Sequence, residues 1–370
     1  MDSNLSDSTA FRTQLANIVT SEGKRVSVYN DVSDEFRHQF SIVVTIFMSG
    51  AVSIMGVCCN VINLVVFRRQ GLHETVNISL FSLAVADLLC VTFTLWLSVC
   101  MVLYVLDPPS LTFDPTSLIS VTASGPRIIF SRTSCWLTAV ISLQRCLCVT
   151  LPFKVRRILT LKNTAACVVL VSAFTCLTHM SLYFYRTLRV GFDPRTNSTR
   201  IYTALVSYGN IDIVVNAVFF IILPVLNFLI VLTCTLIIIL TLKNSQKWRS
   251  SVSYVSSKLH KTHDVISSIA ESDDVKDNKE VRISRMIATI MMIFVACNAP
   301  ANIILSIKYA IPEFRETGSL KNLFYATNNV VFFLEALNSS VHFFAYYSMS
   351  SRFQQAFTSV FKGNRLCRCG

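Results

Sequence analysis

Seven stretches of this chain are each apolar and long enough to cross a lipid bilayer as a helix, at about residues 41–67, 75–103, 118–147, 163–185, 211–242, 281–309 and 321–348. A hydrocarbon core about 30 Å thick takes roughly 20 apolar helical residues to span. The repetition therefore predicts an all-α fold, a seven-transmembrane helix bundle. Composition agrees, since 52% of the 370 residues are hydrophobic and only 15% charged, a balance too apolar for an ordinary soluble protein of this size. Pro126 lies near the outer end of the third stretch, where it either starts or kinks the helix.

After the last stretch, SSRFQQAFTSVFKG spaces Phe353, Phe357 and Phe361 four residues apart. That is the stripe of a short amphipathic eighth helix lying on the membrane. The chain thus divides into an amino-terminal tail (1–40), the bundle (41–348), and an amphipathic helix with a tail (349–370). The segment at about 243–280 is rich in Ser and mixed charge, and is expected to be a mobile loop. No internal repeat is found.

Residues 1–39 contain no apolar core of signal-peptide length, so the first span is expected to act as its own insertion signal. An odd number of spans puts the termini on opposite sides. The bias of Lys and Arg toward segments 68–74, 148–162, 243–280 and 349–370 places these in the cytoplasm and the amino terminus outside, at the plasma membrane. Glycosylation sequons at Asn4 and Asn197 then fall outside. The net charge of +12 is scattered along cytoplasmic edges, which points to anionic membrane lipid as a partner and not to nucleic acid. Most of the 13 cysteines fall within spans or on the cytoplasmic side, and segments 104–119, 186–210 and 310–320 hold none. No extracellular disulfide is expected. Cys367 and Cys369 sit among basic residues and are candidate palmitoylation sites, or free thiols.

Three other classes fit less well. A retinal protein needs a lysine deep in the seventh span, and Lys321 stands at its outer end. A transporter shows repeat symmetry and broken helices near the midplane. An enzyme needs a nucleophile with its base, a metal-spaced cluster or a phosphate loop, and the sequence offers none of these sets.

Several short motifs stand in order along the spans. They are Cys59-Asn60 in MGVCCNVINLVVF, Leu83 to Asp87 in SLAVADLL, and Gln144-Arg145-Cys146 followed by Pro152. Pro224, FVACNAP with Phe294, Cys297 and Pro300, and HFFAY with Tyr346 complete the series. In this the chain resembles the rhodopsin-like (class A) G protein-coupled receptors from about residue 45 to 360. It departs from the family pattern at Gln144, Asn298, His342 and Phe343. Within the family it is most similar to molluscan chemosensory receptors, with orphan neuropeptide receptors next.

The resemblance implies an extracellular small-molecule or peptide ligand and a heterotrimeric G protein as partners. It gives Arg145, Glu280, Phe294, Pro300 and Tyr346 roles in switching and coupling, with Glu280 placed to pair with Arg145. The other reading of Arg145 is an interfacial arginine reaching for headgroups. Asp87, Ser134, Asn338 and Ser339 match the family's sodium ligands, and a hydrogen-bonded network without metal is the alternative. His342 adjoins this set, and its imidazolium is a candidate to take the ion's place.

On the outer side, Arg127 is eighteen residues before Arg145. At 100° per residue it faces the same way, roughly 27 Å higher. Arg127, Ser131 and Glu335 are the candidate ligand-binding residues. Arginine at this level suggests an anionic or amino-acid-like ligand held through its planar fork, and a purely structural Arg-Glu pair is the alternative. Arg132, about 140° away, is expected to face lipid or a neighbouring helix. Ser120 stands where the family has the helix-3 half of its disulfide, so a looser outer loop is expected.

Overall fold

The computed structural model describes residues 31–361 except 108–110, 152–154, 156, 185, 194–196, 207–213, 216, 260–266 and 316–317, and describes no side chain at 181, 182, 205, 245–280 and 309. Lipid offers no partner to a backbone N–H or C=O, so each spanning segment must close its hydrogen bonds within itself. Among the described residues the chain does this with seven long helices and a short eighth. They are α1 (Asp34–Gln70), α2 (Thr75–Leu106), α3 (Gly125–Thr150), α4 (Leu161–His179), α5 (Leu223–Leu259), α6 (Ser267–Ala310), α7 (Lys321–Met349) and α8 (Ser351–Phe361).

Five of the long helices are apolar enough to cross a membrane by composition alone; α3 and α7 are long enough but more polar. Their polarity follows from position, because their Arg, Ser, Asn, Glu and His side chains are buried against other helices.

Local chemistry sets the ends and bends. Gly71 ends α1 in the left-handed region at φ 88°, where a Cβ is disfavoured. Thr160 caps α4 by accepting from the Asn163 N–H. The Asp31 carboxylate accepts from the N–H groups of Asn322 and Leu323, which ties the end of the amino-terminal tail to the top of α7. Pro126 and Pro224 each follow a π-helical stretch, at Ile119–Ser124 and Val218–Ile222. Such a wide turn accommodates a residue that cannot donate. Pro126 thus begins α3 after a wide turn.

The connection expected at about 243–280 is different in the structure: α5 continues to Leu259 and α6 begins at Ser267. No Gly or Pro lies between Pro224 and Pro300, so nothing in the sequence breaks either helix.

The apolar core lies in the half of the bundle nearer α8, where Leu83, Ile141, Ile238, Ile287, Phe294 and Tyr346 interlock. Phe353 of α8 is buried and packs edge-on against Phe67, and Phe357 packs partly buried beside it, so these two dock α8 on the bundle while Phe361 stays exposed. Asn60 joins α1 to α7 by donating to the Ser339 carbonyl at 2.7 Å.

Between α4 and α5 the chain forms a hairpin that the spacing of spans did not reveal. Strands β1 (Arg186–Asp193) and β2 (Ser198–Leu205) pair antiparallel from Arg186 opposite Leu205 to Asp193 opposite Ser198. The hairpin corrects the expectation of a loose outer loop. Buried Arg200 donates to Asp107 at the end of α2 at 2.6 Å, and the Ile201 backbone bonds to Thr112 and Asp114 at 2.9 Å each. The Thr203 N–H donates to Ser117 Oγ. An ion pair and a backbone bridge therefore hold the loop where a disulfide is lacking. Burial opposes ionisation of Asp114, but hydrogen bonds from Thr116 and Ser117, and the Arg200 charge, outweigh it and hold that carboxyl below its usual range.

Candidate ligand, switch and coupling sites

The amino-terminal half of α3 turns Arg127 and Ser131 toward α7. Arg127 Nη1 donates to Glu335 Oε2 at 2.6 Å, and Ser131, one turn on, also hydrogen-bonds this carboxylate. The Arg127 guanidinium lies 3.8 Å from the Phe332 ring centroid, a cation–π contact. Exposures of 1%, 4% and 4% for Arg127, Ser131 and Glu335 shut the trio off from the surface of the bundle.

Arg132 does not face lipid. Its Nη2 stands 3.5 Å from Glu335 Oε1, and its side chain is 13% exposed. An angular position fixes only where the Cα–Cβ bond points, and a long side chain turns its charge away from hydrocarbon. Two guanidinium groups thus share one carboxylate, leaving a net positive charge. Arg132 also lines a tight cavity between α3, α4, α5 and α6, with Trp136, Phe174, His179, Asn298 and Asn302 among the other walls. Its volume of about 10 Å³ holds about one water. His179 Nδ1 lies 2.9 Å from the Thr175 carbonyl, so Nδ1 carries the proton and Nε2 of the neutral ring is an acceptor. Neither His179 Nε2 nor Asn302 Oδ1 has a partner among the described residues.

Below this cluster, Asp87 on α2 is fully buried. Ser134 donates to its Oδ1 at 2.6 Å, and His342 Nδ1 lies 2.9 Å from its Oδ2. At that separation a proton lies between nitrogen and oxygen, whichever atom owns it. Buried Asn338 Oδ1 has no partner among the described residues, while the Ser339 carbonyl is taken by Asn60. A sodium ion fits these oxygens only if the imidazole leaves Oδ2. As folded, the set fits a proton-bridged pair better than a metal.

Near the carboxyl-terminal end of α3 Arg145 is buried at 4% exposure, and Gln144 accepts a hydrogen bond from Ser79 on α2. Phe294 and Tyr346 are buried in the core, and the Tyr346 hydroxyl has no partner among the described residues. Pro300 lies inside α6, and the Asn298 side chain donates to the Phe294 carbonyl one turn earlier. A groove of about 980 Å³ opens between the ends of α1, α2, α6, α7 and α8, with Arg69, Glu74, Arg282, Tyr346 and Arg352 among its walls. Asn197 is exposed in the hairpin turn. The side chain of Glu280, and Asn4, Cys367 and Cys369 entirely, lie outside the described residues.

The Arg132 cavity was missed because helical angle alone cannot see side-chain reach. The signal available was Arg132 itself, a further arginine inside a membrane-spanning segment, an unfavourable placement unless partnered.

Comparison with known proteins agrees with this arrangement. No curated protein matches the chain significantly. The family model for 7 transmembrane receptor (rhodopsin family) matches residues 59–341, most of the chain and nearly all of the bundle. With its helices, its buried arginine at the end of α3 and its carboxylate in α2 so placed, the chain belongs to the rhodopsin family of seven-transmembrane receptors.

Proposed function

We propose that this receptor sits in the plasma membrane with its amino terminus outside, binds a small amino-acid-like molecule and activates a heterotrimeric G protein. The observation that carries this reading is the Arg132 cavity. Two guanidinium groups facing one carboxylate leave a positive charge for an anion to balance. His179 Nε2 and Asn302 Oδ1 supply acceptors for an ammonium group. The sequence resemblance to molluscan chemosensory receptors supports such a cue. A ligand must displace some of the lining side chains to enter so tight a space. It therefore favours one conformation over another, the differential affinity a receptor needs.

The test is nucleotide exchange on a panel of G proteins, with amino acids, their decarboxylated amines and peptides as probes. Amino acids should be active, and Arg132→Gln should raise the concentration for half response about 10- to 100-fold. Activity of the amines alone, or of peptides alone, contradicts the assignment; the second outcome favours a neuropeptide receptor.

Beside Asp87, the same reading gives His342 the place of a cation. Sodium chloride, compared with choline chloride at equal ionic strength, should leave the melting temperature of the unmodified receptor unchanged and raise that of His342→Asn by about 2 °C. A shift of equal size in both proteins contradicts the replacement of the ion by the imidazole.

A further inference from the structure

On the outside of the bundle, α5 and α6 leave a groove of about 310 Å³ between them, at the lower edge of the range for small-molecule sites, about 300–1,000 Å³. Ile239, Leu242 and Lys243 stand on one face of α5 at i, i+3 and i+4, and Arg285, Ala288, Thr289 and Met292 on one face of α6 at i, i+3, i+4 and i+7. Met292 is 52% exposed and Leu240 beside the groove 60%, so it opens toward lipid and not into the core.

The two helices run in opposite directions, and this sorts the lining by depth. Lys243 lies one turn beyond Ile239, at the end of the apolar span Val218–Asn244, and Arg285 two turns before Met292, one turn inside the apolar span that begins at Val281. Both charges therefore sit at one end of the groove, at headgroup level, with the apolar residues toward the midplane. Neither makes an ion pair with a carboxylate among the described residues, and both are exposed. A groove basic at its mouth and apolar along its length complements a lipid with a negative headgroup.

We propose that this groove binds an anionic phospholipid of the inner leaflet. Its phosphate lies between Lys243 and Arg285 and an acyl chain runs along Ile239, Leu242 and Met292. The proposal rests on the amino-terminus-outside orientation given above. A lipid held here bridges α5 and α6 along their cytoplasmic halves and so favours the arrangement in which these helices are adjacent.

Native mass spectrometry of the full receptor from nanodiscs containing equal phosphatidylserine and phosphatidylcholine tests this. The receptor should retain phosphatidylserine selectively, and Lys243→Gln with Arg285→Gln should lower its occupancy ratio about 25-fold. Thr289→Phe, which fills the groove and leaves both charges, should also lower retention. Arg68→Gln with Lys162→Gln, which removes two basic residues elsewhere, should leave it within about twofold. Soluble glycerophosphoserine should not compete, because it has no acyl chain.

Equal retention of the two lipids overturns the proposal. So does an equal loss in the Arg68 and Lys162 variant, which points to diffuse attraction. Retention unaffected by Thr289→Phe, displacement by the soluble headgroup, or a second copy of the chain in place of lipid overturns it as well. Signalling is not read in this assay, so its outcome and that of the receptor reading are separate.

Discussion

Replacing Glu335 with alanine should destabilise the receptor by about 3–5 kcal/mol, the usual consequence of leaving a buried charge without its partner. The carboxylate is 4% exposed, holds Arg127 at 2.6 Å and stands 3.5 Å from Arg132. Its removal leaves two guanidinium groups facing each other in a site shut off from water. The expected readings are a melting temperature lower by roughly 5–10 °C and little receptor at the cell surface. Replacing Arg127, Arg132 and Glu335 together with Met should restore much of the stability, because apolar side chains of similar volume avoid the desolvation of all three charges. Arg132→Gln should be milder, since Glu335 keeps its shorter bond to Arg127. If Glu335→Ala melts like the parent, the three groups are solvated in the folded receptor and do not form a closed cluster.

What the sequence disclosed divides along physical lines. Spans and their order were legible because lipid forces about 20 apolar residues into each helix, and the stripe of Phe353, Phe357 and Phe361 placed α8 for a similar reason. Asp87 and Ser134, and Arg127 and Glu335, were legible as partners because a buried charge requires one. The β1–β2 hairpin was not, although its signals are present: Thr199, Ile201 and Thr203 alternate along β2, and DPRTN, ending at Asn197, is a turn sequence. Short strands outside the membrane carry no length requirement, so the apolar windows ran past them. The lengths of α5 and α6 exceed what the polar composition of 243–280 suggests, because no Gly or Pro interrupts the chain between Pro224 and Pro300. Of the two places expected for Arg132 it takes the neighbouring helix, and its reach to Glu335 was not legible because the angle of a Cα says little about where six further atoms end.

The second large effect is expected at Arg145. It lies in the last two turns of α3, buried at 4% exposure, beside the core residues Ile141 and Cys146. On the proposed coupling role this guanidinium is what a G protein meets, and the groove walled by Arg69, Arg282 and Tyr346 lies at the same end of the bundle. Truncating a buried charge that a partner engages at such an interface costs about 2–5 kcal/mol, more than a tenfold loss in coupling. The decisive measurement is guanine nucleotide exchange by purified G proteins, with amino acids as agonist probes and receptor level held equal. The receptor should accelerate exchange, and Arg145→Ala should reduce that acceleration more than tenfold while the protein still reaches the membrane. Uptake of a labelled amino acid with no exchange on any G protein, or exchange unchanged by Arg145→Ala, contradicts the account.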